Sequence, residues 1–224
     1  MNTNTKAWLS LVIFIALIGL LLFAVAGTVR YWQAWACLSI LTVASVLTTL
    51  YLIRHDPALL DRRMRGGPTA EKRPAQRWIM FVMTIAFIGL FVVPPLDMRF
   101  GWSAVPTGIV AFGDALIVAG FWIIFVVYRE NTFTSATIEI AEGQKVISTG
   151  PYAIVRHPMY VGALLYLLGI PLALGSYWGV LAFVPIVPSL VWRIVDEERM
   201  LATNLAGYNE YRERVRYRLI PSIW

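Results

Sequence analysis

The chain of 224 residues is poor in charged residues and contains a single cysteine. Asp, Glu, Lys and Arg together make up 14% of the residues, whereas soluble domains carry about 25%. Cys37 has no second cysteine with which to form an intrachain disulfide or a thiolate metal site, so neither is predicted. Hydrophobic residues instead make up 58% of the chain. This composition excludes an ordinary soluble domain and indicates an integral membrane protein.

Long apolar runs determine the predicted fold. The longer runs reach the roughly 20 residues that a helix needs to cross the hydrocarbon layer. The last two runs are short and contain Pro171, Pro185 and Pro188, which predicts a tilted helical hairpin over 159–192 with a kinked second arm. We therefore predict an all-α, multi-pass membrane protein with about six transmembrane helices. The runs lie at 7–28, 31–53, 78–96, 104–128, 159–175 and 177–192.

The basic residues alternate between the ends of these runs. If the N-terminus is cytoplasmic, 17 of the 19 Lys and Arg residues lie on the cytoplasmic side, and only Arg30 and Arg99 lie outside. The positive-inside rule therefore predicts that both termini are cytoplasmic. The net charge of +6 is explained by this topology and by contact with anionic membrane lipids, so no nucleic-acid partner is predicted.

The two halves of the chain differ in polar content. Residues 1–128 are predicted to form a scaffold of four helices, joined in part by a polar cytoplasmic loop over 54–77. Residues 129–224 are predicted to form a second, more polar unit that begins with a polar loop containing a brief extended stretch at 138–140. After the hairpin, an apolar stripe predicts an amphipathic helix, interrupted at Gly207, that either lies on the membrane surface or closes the polar loop as a lid. The stripe consists of Leu201, Leu205, Tyr208, Tyr211, Val215 and Leu219.

A compact polar motif, TGPYAIVRHPMYVG, occupies residues 149–162 immediately before the hairpin. Gly150-Pro151 predicts a turn, and Pro158 disfavours helical geometry at His157. Irregular backbone at the membrane edge is tolerated where it lines a cavity, so the motif predicts a binding site for a polar ligand. In the simpler interpretation, Arg156 serves membrane orientation and lipid contact, and the tyrosines belong to an interfacial belt.

Arg193 and Glu197 lie four residues apart at the end of the hairpin. This spacing places them on one face if the helix continues. They form either a local ion pair or part of a binding site for a ligand with both charges, and the spacing leaves both interpretations open.

These segments together resemble the isoprenylcysteine carboxyl methyltransferase family and the related membrane phospholipid methyltransferases. The resemblance covers roughly 131–221 and rests on GPYxxxRHPMYxG, the following hairpin, the Glu197-Glu198-Arg199-Met200-Leu201 element and the terminal GYxxYRxRVRYRLIP. It implies an S-adenosylmethionine-dependent methyltransferase that releases S-adenosylhomocysteine. It also implies a cytoplasmic cofactor pocket closed by the C-terminal amphipathic helix.

The resemblance also assigns roles to individual residues. Arg193 corresponds to a substrate-binding arginine, and Arg193 and Glu197 are the expected catalytic pair. His157 is expected to contribute more to cofactor binding than Arg156. The cofactor-binding positions implied are Gln144, Lys145, Val146, Ile147, Tyr152, His157, Pro158, Met159, Tyr160 and Glu197.

The acceptor implied is a lipophilic or prenylated molecule that reaches the site from the membrane. A carboxylate acceptor needs no general base, whereas an amine, as in phospholipid N-methylation, must lose a proton, for which Glu197 or Glu198 is the candidate base. Two alternatives remain open. Membrane sterol and enone reductases that use NADPH share RHPxYxG, although they usually follow it with an acidic residue where this chain has Ala163. A non-catalytic lipid-binding protein could also retain the fold.

Overall fold

The structure is a computed structural model that describes residues 2–66, 74–138 and 140–224. Within these ranges the chain is helical, and no strand is present. A 3₁₀ turn at Gly150–Ala153 precedes the sixth α-helix. The α-helices are α1 Thr3–Ala26, α2 Trp32–His55, α3 Pro57–Met64, α4 Pro74–Phe100, α5 Thr107–Glu130, α6 Pro158–Ala173, α7 Gly179–Phe183, α8 Ile186–Asn204 and α9 Tyr208–Arg214.

Among the described residues, five helical segments are long and apolar enough to cross a membrane. They are α1, α2, α4 from Gln76, α5, and the combined segment Gly179–Asn204. The predicted run at 159–175 forms α6, which has 16 residues and is therefore about 24 Å long, shorter than the hydrocarbon core of about 30 Å. The prediction of an all-α, multi-pass membrane protein is confirmed, with α6 as the short member.

The C-terminal hairpin has the predicted form. α6 ends at Ala173 and the chain returns through α7 and α8. The second arm is divided around Val184 and Pro185, as the proline there predicts. The helix then continues to Asn204, well beyond the end of the apolar run, and carries Arg193 and Glu197 on successive turns.

α5 and α6 pack unusually close together along a seam of glycines. Gly113 and Gly120 of α5 face Gly169 and Gly162 of α6, so the two helices run antiparallel. A Cβ atom at Gly120 would lie 2.5 Å from the carbonyl oxygen of Gly162, and one at Gly169 would lie 2.7 Å from that of Gly113. Small residues permit this backbone contact, which is a common means of helix association in membranes.

The surface and the far end of the bundle fit a membrane environment. Large apolar side chains such as Leu20 and Trp122 are exposed on outward faces, where lipid rather than water is their expected neighbour. At the end opposite the predicted site, buried Asp97 accepts hydrogen bonds from the backbone and hydroxyl of Ser103 and from the Ser176 hydroxyl. This network ties the C-terminal end of α4 to the turn of the hairpin.

Three local predictions need correction. Part of the predicted polar loop is helix α3, which begins at Pro57 with the Asp56 side chain as its cap. The predicted C-terminal helix breaks near Gly207 as expected, but α9 ends at Arg214, so Val215 and Leu219 do not extend its apolar face. The predicted extended stretch at 138–140 includes no strand among its described residues. Residues 67–73 of the predicted loop and Glu139 lie outside the described residues.

Candidate functional site

A cavity of about 770 Å³ opens among the loop after α5, the start of α6, the end of α8 and α9. This polar chamber is continuous with a part of the cavity lined by residues of α1, α2, α4 and α5, which include Phe14, Met80 and Phe121 together with the hydroxyl side chains of Thr48 and Thr84. Every position to which the resemblance assigned a role lines this one cavity: Gln144, Lys145, Val146, Ile147, Tyr152, His157, Pro158, Met159, Tyr160, Arg193 and Glu197. The structure brings these positions together, and their individual roles stay predictions.

The motif at 149–162 has the irregular backbone that its prolines and glycine predict. Gly150 adopts a positive φ of 55°, and the following 3₁₀ turn presents Tyr152. The Tyr152 hydroxyl accepts a hydrogen bond from the Asn131 side chain at 3.0 Å, and its carbonyl accepts one from the Tyr211 hydroxyl at 2.8 Å. Pro158 is the first residue of α6 and leaves His157 outside the helix. Tyr152 is therefore fixed between α5 and α9.

Glu198 is the centre of a buried charge cluster beside the cavity. It accepts hydrogen bonds from Arg156 Nε at 2.6 Å, Arg218 Nε at 2.8 Å and His157 Nε2 at 3.2 Å. The Arg156 and Glu198 side chains are 4% and 5% exposed. Glu198 is not among the described residues that line the cavity. The hypothesis that Glu198 could act as a base is therefore wrong, because its carboxylate is occupied by three donors.

The same cluster holds the C-terminal segment against the motif. Arg156 donates to the carbonyls of Val215 and Arg216, both at 2.7 Å. The backbone N–H groups of Arg156 and His157 donate at 2.9 Å to the carbonyls of Tyr217 and Arg218. The interpretation of Arg156 as a lipid-contacting charge is therefore wrong, since it is a buried clamp. The sequence analysis left open whether this segment lies on the membrane surface or closes the polar loop as a lid. In the structure it packs over the motif as a lid.

Arg193 and Glu197 are joined through a tyrosine. The Tyr160 hydroxyl accepts from Arg193 Nε at 3.2 Å and donates to Glu197 Oε2 at 2.6 Å. Arg193 is 6% exposed, whereas Glu197 is half-buried at the cavity wall. The arrangement is therefore neither a simple surface ion pair nor two independent side chains, because Tyr160 fixes the two groups relative to each other.

Two residues that the sequence did not single out complete this network. Gln76 of α4 is fully buried and accepts from Arg193 Nη1 at 3.0 Å while donating to Asp196 Oδ2 at 2.5 Å. The carboxylate of Asp196 accepts only, so it orients the amide of Gln76 with its oxygen toward Arg193. Hydrogen bonds thus run from Asp196 through Gln76, Arg193 and Tyr160 to Glu197. In the sequence, the signal for this role of Gln76 was its position as an isolated glutamine just before the third apolar run.

The loop after α5 forms the remaining wall of the chamber and is held from two sides. Arg193 Nη2 donates to the carbonyl of Ala136 at 2.9 Å. From α3, Arg63 donates to the carbonyl of Ser135 at 2.7 Å, and Arg62 donates to that of Thr132. Basic residues that the sequence analysis assigned to orientation and lipid contact thus also fix a wall of the site.

The chamber contains groups that fit S-adenosylmethionine, which has a sulfonium, an ammonium, a carboxylate and a nucleoside. The Glu197 carboxylate suits the ammonium group. The buried oxygens Thr134 Oγ1 and Tyr208 OH have no hydrogen-bond partner among the described residues and lie on residues that line the cavity. The Gln144 side chain accepts from the backbone of Ala141 at 2.8 Å. Any ligand contact there is therefore expected to involve backbone groups.

Comparison with known proteins agrees with this geometry. The phospholipid methyltransferase family profile matches residues 109–206, from α5 to just beyond α8. Over this segment the chain is similar to the phospholipid methyltransferase family. The match confirms the resemblance to this group of membrane methyltransferases, and it includes the motif at 149–162 together with Arg193 and Glu197. Gln76 and Tyr208 lie outside the matched segment.

A second similarity is to delta(14)-sterol reductase from Mus musculus. The two sequences are 33% identical over 93 residues, which is 39% of this chain and 22% of the reductase. The chain thus matches about a fifth of the length of that curated relative. The similarity agrees with the alternative that the sequence analysis left open, a reductase of related fold.

Proposed function

We propose that this protein is an S-adenosylmethionine-dependent methyltransferase that acts on a lipophilic acceptor at the membrane, with isoprenylcysteine carboxyl O-methylation as the most similar reaction. The observation that supports the proposal is the continuity of one cavity. The same cavity is lined by Glu197 and Arg193 and by predominantly apolar side chains of the membrane helices, such as Phe14, Met80 and Phe121. Such a shape suits a polar donor and an amphiphilic acceptor held end to end.

The residues of the chamber would supply binding and alignment. When bound, S-adenosylmethionine supplies a methyl group activated by its sulfonium. Glu197 is positioned to pair with the donor's ammonium, and Tyr160 holds the Glu197 carboxylate in place. Arg193, fixed by Tyr160 and Gln76, would orient the nucleophilic atom of the acceptor. Displacement at carbon requires nucleophile, methyl carbon and leaving sulfur in line, so this fixed geometry is the expected source of catalysis.

The acceptor chemistry follows from the same arrangement. A carboxylate acceptor needs no proton removed and would be oriented by the Arg193 guanidinium. Phospholipid N-methylation is the alternative, for which Glu197 remains the candidate base now that Glu198 is occupied. The reductase similarity favours a second candidate, NADPH-dependent reduction of a sterol or enone. The lack of an acidic residue at Ala163 supports the methyltransferase over this candidate.

Ligand-dependent stability of the detergent-solubilised protein tests the proposal. We expect S-adenosylhomocysteine at about 100 times its dissociation constant to stabilise the protein by about 2.7 kcal/mol, and NADPH to have no effect. Protection by NADPH alone would establish the reductase instead. Binding of neither compound, together with retention of membrane lipids during purification, would favour the lipid-binding alternative.

Two variants test the assigned roles. Glu197→Gln should weaken binding of S-adenosylhomocysteine by roughly tenfold to a hundredfold, because a hydrogen bond to a charged group contributes about 1.5–3 kcal/mol. Arg193→Ala should leave donor affinity nearly intact while turnover falls, measured with labelled S-adenosylmethionine and a prenylcysteine analogue. Normal turnover by Arg193→Ala would remove Arg193 from the catalytic pair. Mild and equal stability losses with normal activity in both variants would indicate a structural network only.

The proposed orientation places both termini and the chamber in the cytoplasm, where S-adenosylmethionine is made. The supporting observation is that 17 of 19 basic residues would then be inside. A reporter enzyme fused after Trp224 should be active only in the cytoplasm. Activity on the opposite side would reverse the topology.

A further inference from the structure

Tyr208 is a buried phenol at the edge of the chamber, at the start of α9. It follows Gly207, which adopts a positive φ of 81°, and is 4% exposed. Its hydroxyl is buried and has no hydrogen-bond partner among the described residues, yet Tyr208 lines the cavity. One turn later on the same face, the Tyr211 hydroxyl donates to the carbonyl of Tyr152. The two tyrosines therefore differ in what their hydroxyls bind.

Buried polar groups are almost always hydrogen-bonded, so an unpartnered hydroxyl beside a cavity is available to a ligand or to an ordered water. Thr134 Oγ1 on the loop wall of the chamber is a second buried oxygen in this position. The chamber therefore contains two buried polar groups without a hydrogen-bond partner in the described part of the chain.

The surroundings of Tyr208 determine which ligand group it could bind. Burial raises the pKa of Tyr208, and the negative charges of Glu198 and Glu197 raise it further. Arg156 lowers this pKa by a smaller amount, and Tyr211 raises it by a smaller amount. The phenol therefore stays protonated at neutral pH and acts as a donor. Glu197, the expected partner of the ligand's ammonium, lines the same cavity as Tyr208. In an amino acid the ammonium and carboxylate are attached to the same carbon.

From this geometry we infer that the Tyr208 hydroxyl donates a hydrogen bond to the carboxylate at the amino-acid end of the bound methyl donor, next to the ammonium at Glu197. The inference rests on the proposed function. It makes α9, which lies outside the family match, a part of the donor site as well as a cover over it.

Three Tyr→Phe variants of the full-length protein in detergent test the inference, with S-adenosylhomocysteine as the probe. Tyr208→Phe should weaken binding about tenfold, the loss expected for one hydrogen bond, while the unfolding temperature of the ligand-free protein stays the same or rises. Tyr211→Phe should lower that temperature, because it loses a hydrogen bond that the ligand-free fold contains. Tyr217→Phe, on an exposed side chain of the same segment, should change neither quantity.

A second probe locates the contact. Methylthioadenosine lacks the amino-acid end, so wild type and Tyr208→Phe should bind it equally. Equal affinity of wild type and Tyr208→Phe for S-adenosylhomocysteine would overturn the inference. So would a loss of affinity for methylthioadenosine in Tyr208→Phe as large as the loss for S-adenosylhomocysteine. A lower unfolding temperature of ligand-free Tyr208→Phe would also contradict it, because the hydroxyl would then have a partner within the fold. If wild type itself fails to bind S-adenosylhomocysteine, the proposed function fails and the inference with it.

Discussion

α1, α2 and α4 use their polar side chains differently from the region that begins with α5. In the first group, hydroxyls such as those of Thr48 and Thr84 donate to carbonyls four residues earlier in their own helices. In the second region, hydrogen bonds join residues far apart in sequence, as between Arg156 and Glu198. The first group thus forms apolar walls that need only length and hydrophobicity. The second region depends on specific pairs.

Gln76 links the two regions at the site, as Asp97 links them at the opposite end of α4 through Ser176. Gln76 belongs to α4 but bonds to Arg193 and Asp196 of α8. The comparison therefore teaches that the first helices are more than a passive scaffold, since one of their residues fixes the orientation of a proposed catalytic group.

The largest expected effect comes from the charge cluster of the second region. Glu198→Ala should lower the free energy of unfolding by about 3–5 kcal/mol, because it leaves the buried Arg156 without its carboxylate. Thermal unfolding of the ligand-free protein in detergent measures the loss. Glu213→Ala, on the exposed side of α9, is the control and should have little effect. A Glu198→Ala protein as stable as the control would show that the cluster does not support the fold.

A smaller loss is expected at the glycine seam. Gly120→Ala should destabilise the protein by about 1–3 kcal/mol, since the new methyl group meets the backbone of Gly162 rather than a movable side chain. Gly108→Ala in the first turn of α5 has no atom within 4 Å of the added Cβ and should be neutral or slightly stabilising. Unfolding midpoints of the two variants would differ accordingly. Equal midpoints would mean that α5 and α6 can separate without cost.

The most selective effect tests the link between the regions. Gln76→Leu should reduce turnover about tenfold, because Arg193 and Asp196 lose their connector, while affinity for S-adenosylhomocysteine stays within about twofold. Trp78→Leu on the exposed face of α4 is the control and should retain full turnover. A general loss of folding would change donor affinity and turnover together, whereas a positioning role changes turnover alone. Full turnover in Gln76→Leu would restore the view of α4 as scaffold.

Local sequence signals explain why the helices were predictable. The transmembrane helices were predictable because the membrane sets the length of an apolar run. The helix ends at Pro158 and Gly207 were predictable because these residues act through their own backbone geometry. Both kinds of prediction needed only neighbouring residues. Helix α3 carried a signal in Asp56-Pro57, a capping residue followed by proline at the first helical position, but the surrounding basic residues favoured a loop interpretation.

The pairing of distant residues was not predictable in the same way. Nothing near Arg156 in sequence distinguishes a lipid-facing arginine from one buried against Glu198, because its partners lie 42 to 60 residues later. The Tyr160 bridge was missed for the same reason. The positions lining the chamber were instead predicted by family resemblance, which includes such distant pairings within its motifs.

The glycine seam also limits how the chamber can exchange its contents. With backbone atoms of α5 and α6 in contact, this pair behaves as one rigid wall, and separating it would leave a groove that no side chain can fill. In the proposed reaction, release of S-adenosylhomocysteine would therefore involve another wall. The loop after α5 is attached by individual hydrogen bonds from Arg193 and Arg63, each of which can break singly. The segment containing α9 is held by Tyr211 and also by the Arg156–Glu198 cluster. The rate of product release should accordingly depend on these few contacts and not on movement within the α5–α6 pair.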